Sequence, residues 1–117
     1  MVYSYSGTNF NIHQIANSGQ CFRWKWVDGA TNQYYKVPIY DFDAKVMNEA
    51  NEVLVSTEAS EYLVRRYFDV DTDYSQIISE IPEDDEFLKK AVDTFSGLRI
   101  LIQPLFETIV SFIISQN

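Results

Sequence analysis

Apolar and polar residues alternate one by one in the first half of the chain, and the period lengthens in the second. Residues 21–27 run Cys-Phe-Arg-Trp-Lys-Trp-Val, placing Phe22, Trp24 and Trp26 on one side and Arg23 and Lys25 on the other. A period of two is the signature of a half-buried strand. Asp28-Gly29 opens a turn that Thr31-Asn32 continues. Residues 33–40 are β-rich and predict the next strand, where Pro38 points to an edge, a bulge or a strand end. Residues 42–47 and 53–56 are two more short strand candidates, and residues 10–12 are another ahead of Cys21. The sum is an antiparallel meander of about four or five strands.

Helical spacing follows. Residues 58–68 place Leu63, Tyr67 and Phe68 on one face, with Glu58 and Glu61 early and Arg65 and Arg66 late. That charge order suits the helix dipole. Residues 73–81 align Tyr74, Ile77, Ile78 and Ile81, and Asp73 with Gln76 resembles a capping box. Pro82-Glu83-Asp84-Asp85-Glu86 opens a third helix with a buried stripe of Phe87, Leu88, Ala91, Val92 and Phe95, ended by Gly97. Residues 98–102 form a short β-like run that would return to the sheet. Pro104 then starts a last helix, where its missing N–H costs little. Phe106, Ile109, Val110, Phe112, Ile113 and Ile114 make that helix apolar nearly all round, as for a helix surrounded by others. No glycine, cap or polar tail follows before Asn117. The chain is therefore expected to be a fragment whose last helix, alone, exposes a large apolar patch.

Composition sets bounds on this picture. The 117 residues fit one domain, or one domain and a piece of another, and 46% of them are hydrophobic, enough for a packed core. The apolar run at 105–114 is broken by Glu107 and Ser111 and falls short of the ~20 residues a bilayer span needs, so no membrane partner is expected. Met1 to Gly7 lack the basic-then-apolar order of a secretory signal. Cys21 is the single cysteine, which excludes an internal disulfide and fits a reducing, intracellular setting. The formal net charge of −8, taken alone, argues against nucleic-acid binding.

Most candidate chemistry dissolves on inspection. Glu83, Asp84, Asp85 and Glu86 read as a negatively charged first helical turn rather than a carboxylate pair. Asp69, Asp71 and Asp73 alternate but lack the glycine and distal glutamate of a calcium loop, so they read as helix caps. His13 has no second ligand at metal-binding spacing, Cys21 has no base to activate it, and no glycine loop cradles phosphate. No catalytic residue, metal or cofactor is assigned in these 117 residues. Two segments stand apart. The first is Ser18-Gly19-Gln20-Cys21-Phe22-Arg23-Trp24. The second is Gly97-Leu98-Arg99-Ile100-Leu101-Ile102-Gln103-Pro104, continued by Glu107 and by Ser111-Phe112-Ile113-Ile114-Ser115-Gln116-Asn117. Alone, each is an ordinary turn into a strand or an ordinary buried helix. Together and in this order they are hard to attribute to chance.

Both segments resemble the 8-oxoguanine DNA glycosylase family of the helix-hairpin-helix glycosylase superfamily. "SGQ-x-FRW" is the more specific motif. "G-L-R-x-L-x-Q…E…SFI-x-SQN" is shared more loosely with alkylation-damage glycosylases, and Arg65 to Asp71 resemble the family's linker helix and its exit. The resemblance covers the chain from about Phe10 to Asn117. It implies an α+β fold, a twisted antiparallel β-sheet with packed helices like the TATA-box-binding protein, over residues 1–103. Residues 104–117 would be the first helix of an all-α catalytic domain.

The resemblance also implies a base-excision-repair enzyme that flips 8-oxoguanine out of a duplex opposite cytosine, excises it and cleaves the strand at the abasic site. Guanine has an acceptor at N7 where the oxidised base carries a hydrogen. By resemblance, the carbonyl of Gly19 reads that difference, and Asn117 contacts the orphaned cytosine through its donor-and-acceptor amide. Phe22, Arg23 and Trp24 are assigned to structure, with Arg23 holding a strand or loop by hydrogen bonds, and Arg99 and Gln103 are structural too. The family has an acidic residue before the proline, whereas Gln103 precedes Pro104 here. The helix-hairpin-helix, nucleophilic lysine, catalytic aspartate and aromatic stacking residue lie later in the family, and Lys89 and Lys90, on an exposed helix face, do not replace them. The 117 residues alone are therefore expected to be inactive and a poor DNA binder, with a following domain packed on the 104–117 helix. That bare helix could also pair two copies. Two readings compete: an alkylation-damage glycosylase, opposed by "SGQ-x-FRW", and a non-enzymatic α+β interaction domain with an acidic face, opposed by the bare apolar helix.

Overall fold

Two-residue periodicity becomes sheet, and the residues that break it become the helices packed on one side. In a computed structural model, which describes residues 1–116, the elements are β1 Val2–Ser6, α1 Ile12–Ala16, β2 Lys25–Asp28, β3 Gln33–Ile39, β4 Phe42–Glu49, β5 Glu52–Thr57, α2 Glu61–Tyr67, α3 Tyr74–Ser79, α4 Glu86–Phe95 and α5 Leu105–Ser115. The strands form one sheet in the order β1-β5-β4-β3-β2, antiparallel at every pairing. The fold is α+β, as expected, and β2 to β5 are the predicted meander.

The hairpin between β2 and β3 closes where Asp28-Gly29 and Asn32 placed it, with the Gly29 N–H donating to the Asn32 carbonyl at 3.0 Å. Pro38 sits beyond the last β2–β3 pair, Lys25 with Lys36, where β3 has β4 as its one neighbour. A residue without an N–H therefore costs no bond on the β2 side. One face of the sheet is the core: Tyr35, Val37, Ile39, Ala44, Val46, Val53 and Val55 are all buried. Onto it, α1 lays Ile12 and Ile15, and α2 lays Val64 and Tyr67, with Phe10 and Phe68 between them.

Several expectations need correction. Residues 10–12 are not a strand. The Asn11 side chain accepts from the N–H groups of His13 and Gln14 and so starts α1. The strand ahead of Cys21 is instead β1, which pairs with β5 from Val2 opposite Ser56 to Ser6 opposite Glu52. The alternation at residues 21–27 is strand only from Lys25. Residues 98–102 do not return to the sheet. Their backbone bonds other partners, with the Ile102 N–H donating to the Tyr67 carbonyl at 2.9 Å and the Ile102 carbonyl accepting from the Tyr40 hydroxyl at 2.9 Å.

Of the three alternating aspartates, Asp69 and Asp73 serve helix ends as expected, whereas Asp71 caps no helix. Asp69, at φ 52, is the left-handed residue after α2, where the Asp69 and Val70 N–H groups donate to the Arg66 and Arg65 carbonyls. Asp71 pairs with Arg65, and Asp73 caps α3 by accepting from the Gln76 N–H at 3.1 Å. Asp85 caps α4 in the same way through Leu88. The stripe of α4 is not buried against this chain: Phe87 is 84% exposed and Phe95 56%. The α5 helix is as bare as predicted, with Phe106 80% exposed and Ile114 68%. No helix among the described residues is long and apolar enough to cross a membrane.

Gly97 joins the end of α4 to the start of α1. Its carbonyl accepts from the Asn11 N–H at 2.8 Å, and its N–H donates to the Gln14 side-chain oxygen at 2.8 Å. A Cβ there would stand 2.3 Å from the Asn11 Cβ and 2.8 Å from its backbone nitrogen. Gly97→Ala is therefore expected to destabilise by about 1–3 kcal/mol through forced separation of the two backbones. Urea unfolding followed by tryptophan fluorescence measures it, and a change within ~0.5 kcal/mol would contradict the close approach.

Candidate functional site

The first motif segment leaves α1 and hangs between two anchors. On one side, the Ser18 N–H and hydroxyl both donate to the Ile15 carbonyl, at 3.2 and 2.6 Å. On the other, the Gln20 side chain reaches residues 99–101. Its Nε2 donates to the Arg99 carbonyl at 2.6 Å, and its Oε1 accepts from the Leu101 N–H at 2.9 Å. The Gln103 Nε2 donates in turn to the Gln20 carbonyl.

Gly19 lies between the anchors, exposed, at φ +81. Nothing lies within 4 Å of where its Cβ would be, so the left-handed backbone, not crowding, favours glycine. Among the described residues no hydrogen bond ends on its carbonyl. The loop thus offers the Gly19 carbonyl as an acceptor on an exposed residue held on both sides. Next to Ser18 a groove of about 460 Å³ runs between α1 and the end of α4, lined by His13, Gln14, Asn17, Phe95 and Leu98.

The rest of the first motif is structural. Trp24 donates from Nε1 to the Tyr67 hydroxyl at 2.9 Å and packs on Tyr35 and Phe68. Arg23 holds the Glu107 carboxylate at 3.1 Å and so ties the motif to the first turn of α5. Phe22 is 56% exposed and lies outside the core. Cys21 directs its thiol at the Ile15 carbonyl at 3.6 Å, and burial pushes its pKa up to about 11. It is a neutral thiol at physiological pH, not a nucleophile. The His13 ring, with Nδ1 3.0 Å from the Tyr35 hydroxyl and its plane tilted against Trp26, is part of an aromatic cluster. Among the described residues no group of three His, Cys, Asp or Glu side chains could hold a metal ion.

The two motif segments, distant in sequence, therefore meet in space through Gln20 with residues 99–103 and through Arg23 with Glu107. Arg99 is buried, with Nε donating to the Asn9 carbonyl and Nη1 to the Asp69 carbonyl, a structural role as expected. Sequence reasoning missed Gln20 as the joint. The signal was its place inside the first motif, facing a second motif that also carries a glutamine. Asn117 lies outside the described residues.

Residues 2–109 match the family described as 8-oxoguanine DNA glycosylase, N-terminal domain. The chain is 32% identical to the N-glycosylase/DNA lyase of Saccharomyces cerevisiae over 91% of its length, covering 31% of that protein. It superposes on the apo 8-oxoguanine glycosylase/lyase of Clostridium acetobutylicum with a TM-score of 0.83 and 32% identity, covering 100% of this chain and 43% of that one. The same enzyme solved with double-stranded DNA containing cytosine opposite 8-oxoguanine gives a TM-score of 0.82 at 32% identity, over 42% of its length. The chain thus spans well under half of each of these relatives. With an antiparallel sheet backed by helices, an exposed glycine loop clamped to the approach of α5, and a match over nearly its whole length, the chain belongs to the family of 8-oxoguanine DNA glycosylase N-terminal domains.

Proposed function

We propose that this chain is the base-reading N-terminal part of a DNA glycosylase with lyase activity, which excises 8-oxoguanine from opposite cytosine in duplex DNA. The observation that carries the reading is the superposition of the whole chain, at 32% identity, on an enzyme solved with that duplex. In this reading the remainder of the polypeptide supplies the catalytic residues and most of the basic DNA-binding surface. A module of net charge −8 carries an excess of acid that opposes phosphate binding. The remainder also covers the apolar face of α5, with the domain boundary at residues 103 and 104. Asn117 is assigned the contact to the orphaned cytosine.

Gly19 supplies the discrimination. Its exposed carbonyl accepts a hydrogen bond from the N7–H of the flipped lesion and faces a lone pair when guanine is presented. A bond of this kind, lost in a dry pocket, costs on the order of 1–3 kcal/mol. Gly19→Ala forces a side chain onto a left-handed backbone, which costs roughly 1–2 kcal/mol and turns the carbonyl away. In the full-length protein the substitution is expected to lower the preference for 8-oxoguanine over guanine by about tenfold or more. Single-turnover excision from matched duplexes measures it, and an unchanged preference sinks the assignment.

The function itself is tested by incubating the full-length protein with duplexes carrying 8-oxoguanine or 3-methyladenine, with borohydride added to trap a lysine adduct. Release of 8-oxoguanine with trapping is the expected result. Release of the alkylated base alone would move the protein to the alkylation-damage branch. Release of neither, from a folded protein, would leave a shared fold without the activity.

A further inference from the structure

The Gly19 carbonyl belongs to a planar unit that also contains the nitrogen and Cα of Gln20. Whatever fixes Gln20 therefore fixes the direction in which that carbonyl points, apart from the soft dihedrals of Gly19. Ser18 is pinned to the end of α1 by its two bonds to the Ile15 carbonyl. Gln20 is pinned by three: from its Nε2 to the Arg99 carbonyl, to its Oε1 from the Leu101 N–H, and to its own carbonyl from Gln103. The Arg99 carbonyl and the Leu101 N–H flank Ile100 on an irregular stretch with no strand beside it. A primary amide, donor and acceptor on one planar head, serves both groups at once. A carboxylate could accept but not donate, and an aliphatic side chain could do neither.

We infer that Gln20, backed by Gln103, is a positioning residue that aims the Gly19 carbonyl by locking its peptide to the segment leading into α5. The inference rests on the proposed reading of the lesion by Gly19 and adds what holds that reader in register. It also makes the reading loop and α5 one mechanical unit, because residues 99–103 run directly into Pro104, and Arg23 grips Glu107 beside them.

The test uses the full-length protein carrying Gln20→Met, Gln20→Glu, Gly19→Ala, and Gln20→Met with Gly19→Ala. Two readouts are taken: the preference for 8-oxoguanine over guanine opposite cytosine, and cleavage at a preformed abasic site, which requires no base to be read. Gln20→Met is expected to lower the preference about tenfold, the effect of roughly one misdirected hydrogen bond, while abasic-site cleavage stays within about twofold. On the Gly19→Ala background it should lower the preference no further, because the two act through one group. Gln20→Glu supplies a chemical rescue. A protonated acid restores the donor to the Arg99 carbonyl, so its preference should be low at pH ~8 and rise as the pH falls toward ~4, the ordinary glutamic-acid range. Equal losses of 8-oxoguanine excision and of abasic-site cleavage, with the preference unchanged, would overturn the inference in favour of a merely structural role, as would a Gln20→Glu preference independent of pH. If Gly19→Ala lowers the preference and Gln20→Met does not, the positioning role alone fails. If Gly19→Ala leaves it unchanged, the reading by Gly19 fails and the positioning role falls with it.

Discussion

Phe68→Ala is expected to cost about 3–5 kcal/mol of folding stability, the largest single loss in the molecule. Phe68 is fully buried at the end of α2, and its ring meets those of Phe10 at 5.4 Å, Trp24 at 6.0 Å and Tyr67 at 5.0 Å. Those partners come from three separate stretches of chain, so no single neighbour can move in to fill the void. The loss therefore includes both the transfer of the ring and the cavity it leaves. Against a total of about 5–15 kcal/mol for a domain of this kind, that is roughly a fifth or more of the margin. Equilibrium urea unfolding should show a lower midpoint with an unchanged slope. Phe68→Leu should lose less than about half as much, because it keeps most of the volume. A Phe68→Ala cost below ~1 kcal/mol would mean that the helices do not share a core through this ring.

Arg99→Lys is expected to cost about 2–3 kcal/mol, although it conserves charge. The guanidinium is buried between two rings, 4.9 Å from the centre of Phe10 and 4.5 Å from that of Tyr74. Its Nε donates to the Asn9 carbonyl at 3.0 Å and its Nη1 to the Asp69 carbonyl at 2.7 Å. Burial lowers its pKa from the ordinary arginine value, which is too high for that to matter at neutral pH. The planar fork serves two carbonyls that face it from different loops, and a planar cation stacks on aromatic faces. An ammonium reaches one carbonyl and strands the other. The lost stability should appear in urea unfolding, with faster amide exchange after Asn9 and Asp69. Unchanged exchange at both places would show that the two carbonyls do not depend on Arg99.

The elements legible in the sequence were those whose pattern is local. β3, β4 and β5 are β-rich runs, and Asp73 and Pro104 announce α3 and α5 by their chemistry at the start of a helix. What was not legible depends on partners elsewhere. α1 has five residues, too few for a helical period to register, and is set by the Asn11 cap and by Gly97 packed against it. Residues 98–102 have the composition of a strand, yet Gln20 and Tyr67 take up the backbone groups a ladder would have used. The α4 stripe is a sound reading of amphipathicity, but amphipathicity fixes a face and not what covers it. At the candidate site, Gly19 stood out through its motif. The Gln20 and Gln103 amides did not, because side-chain hydrogen bonds to irregular backbone leave no period to detect.

The clamp also imposes a timetable. Gln20 and its partner Leu101 are 81 residues apart. A ribosome adding ~5–20 residues per second makes the second half of the joint about 4–16 s after the first. The strands and α1 can associate within that interval, but the glycine loop stays slack until the stretch that leads into α5 has emerged. The loop therefore takes its final shape late in synthesis, when the helix that follows it is already being made.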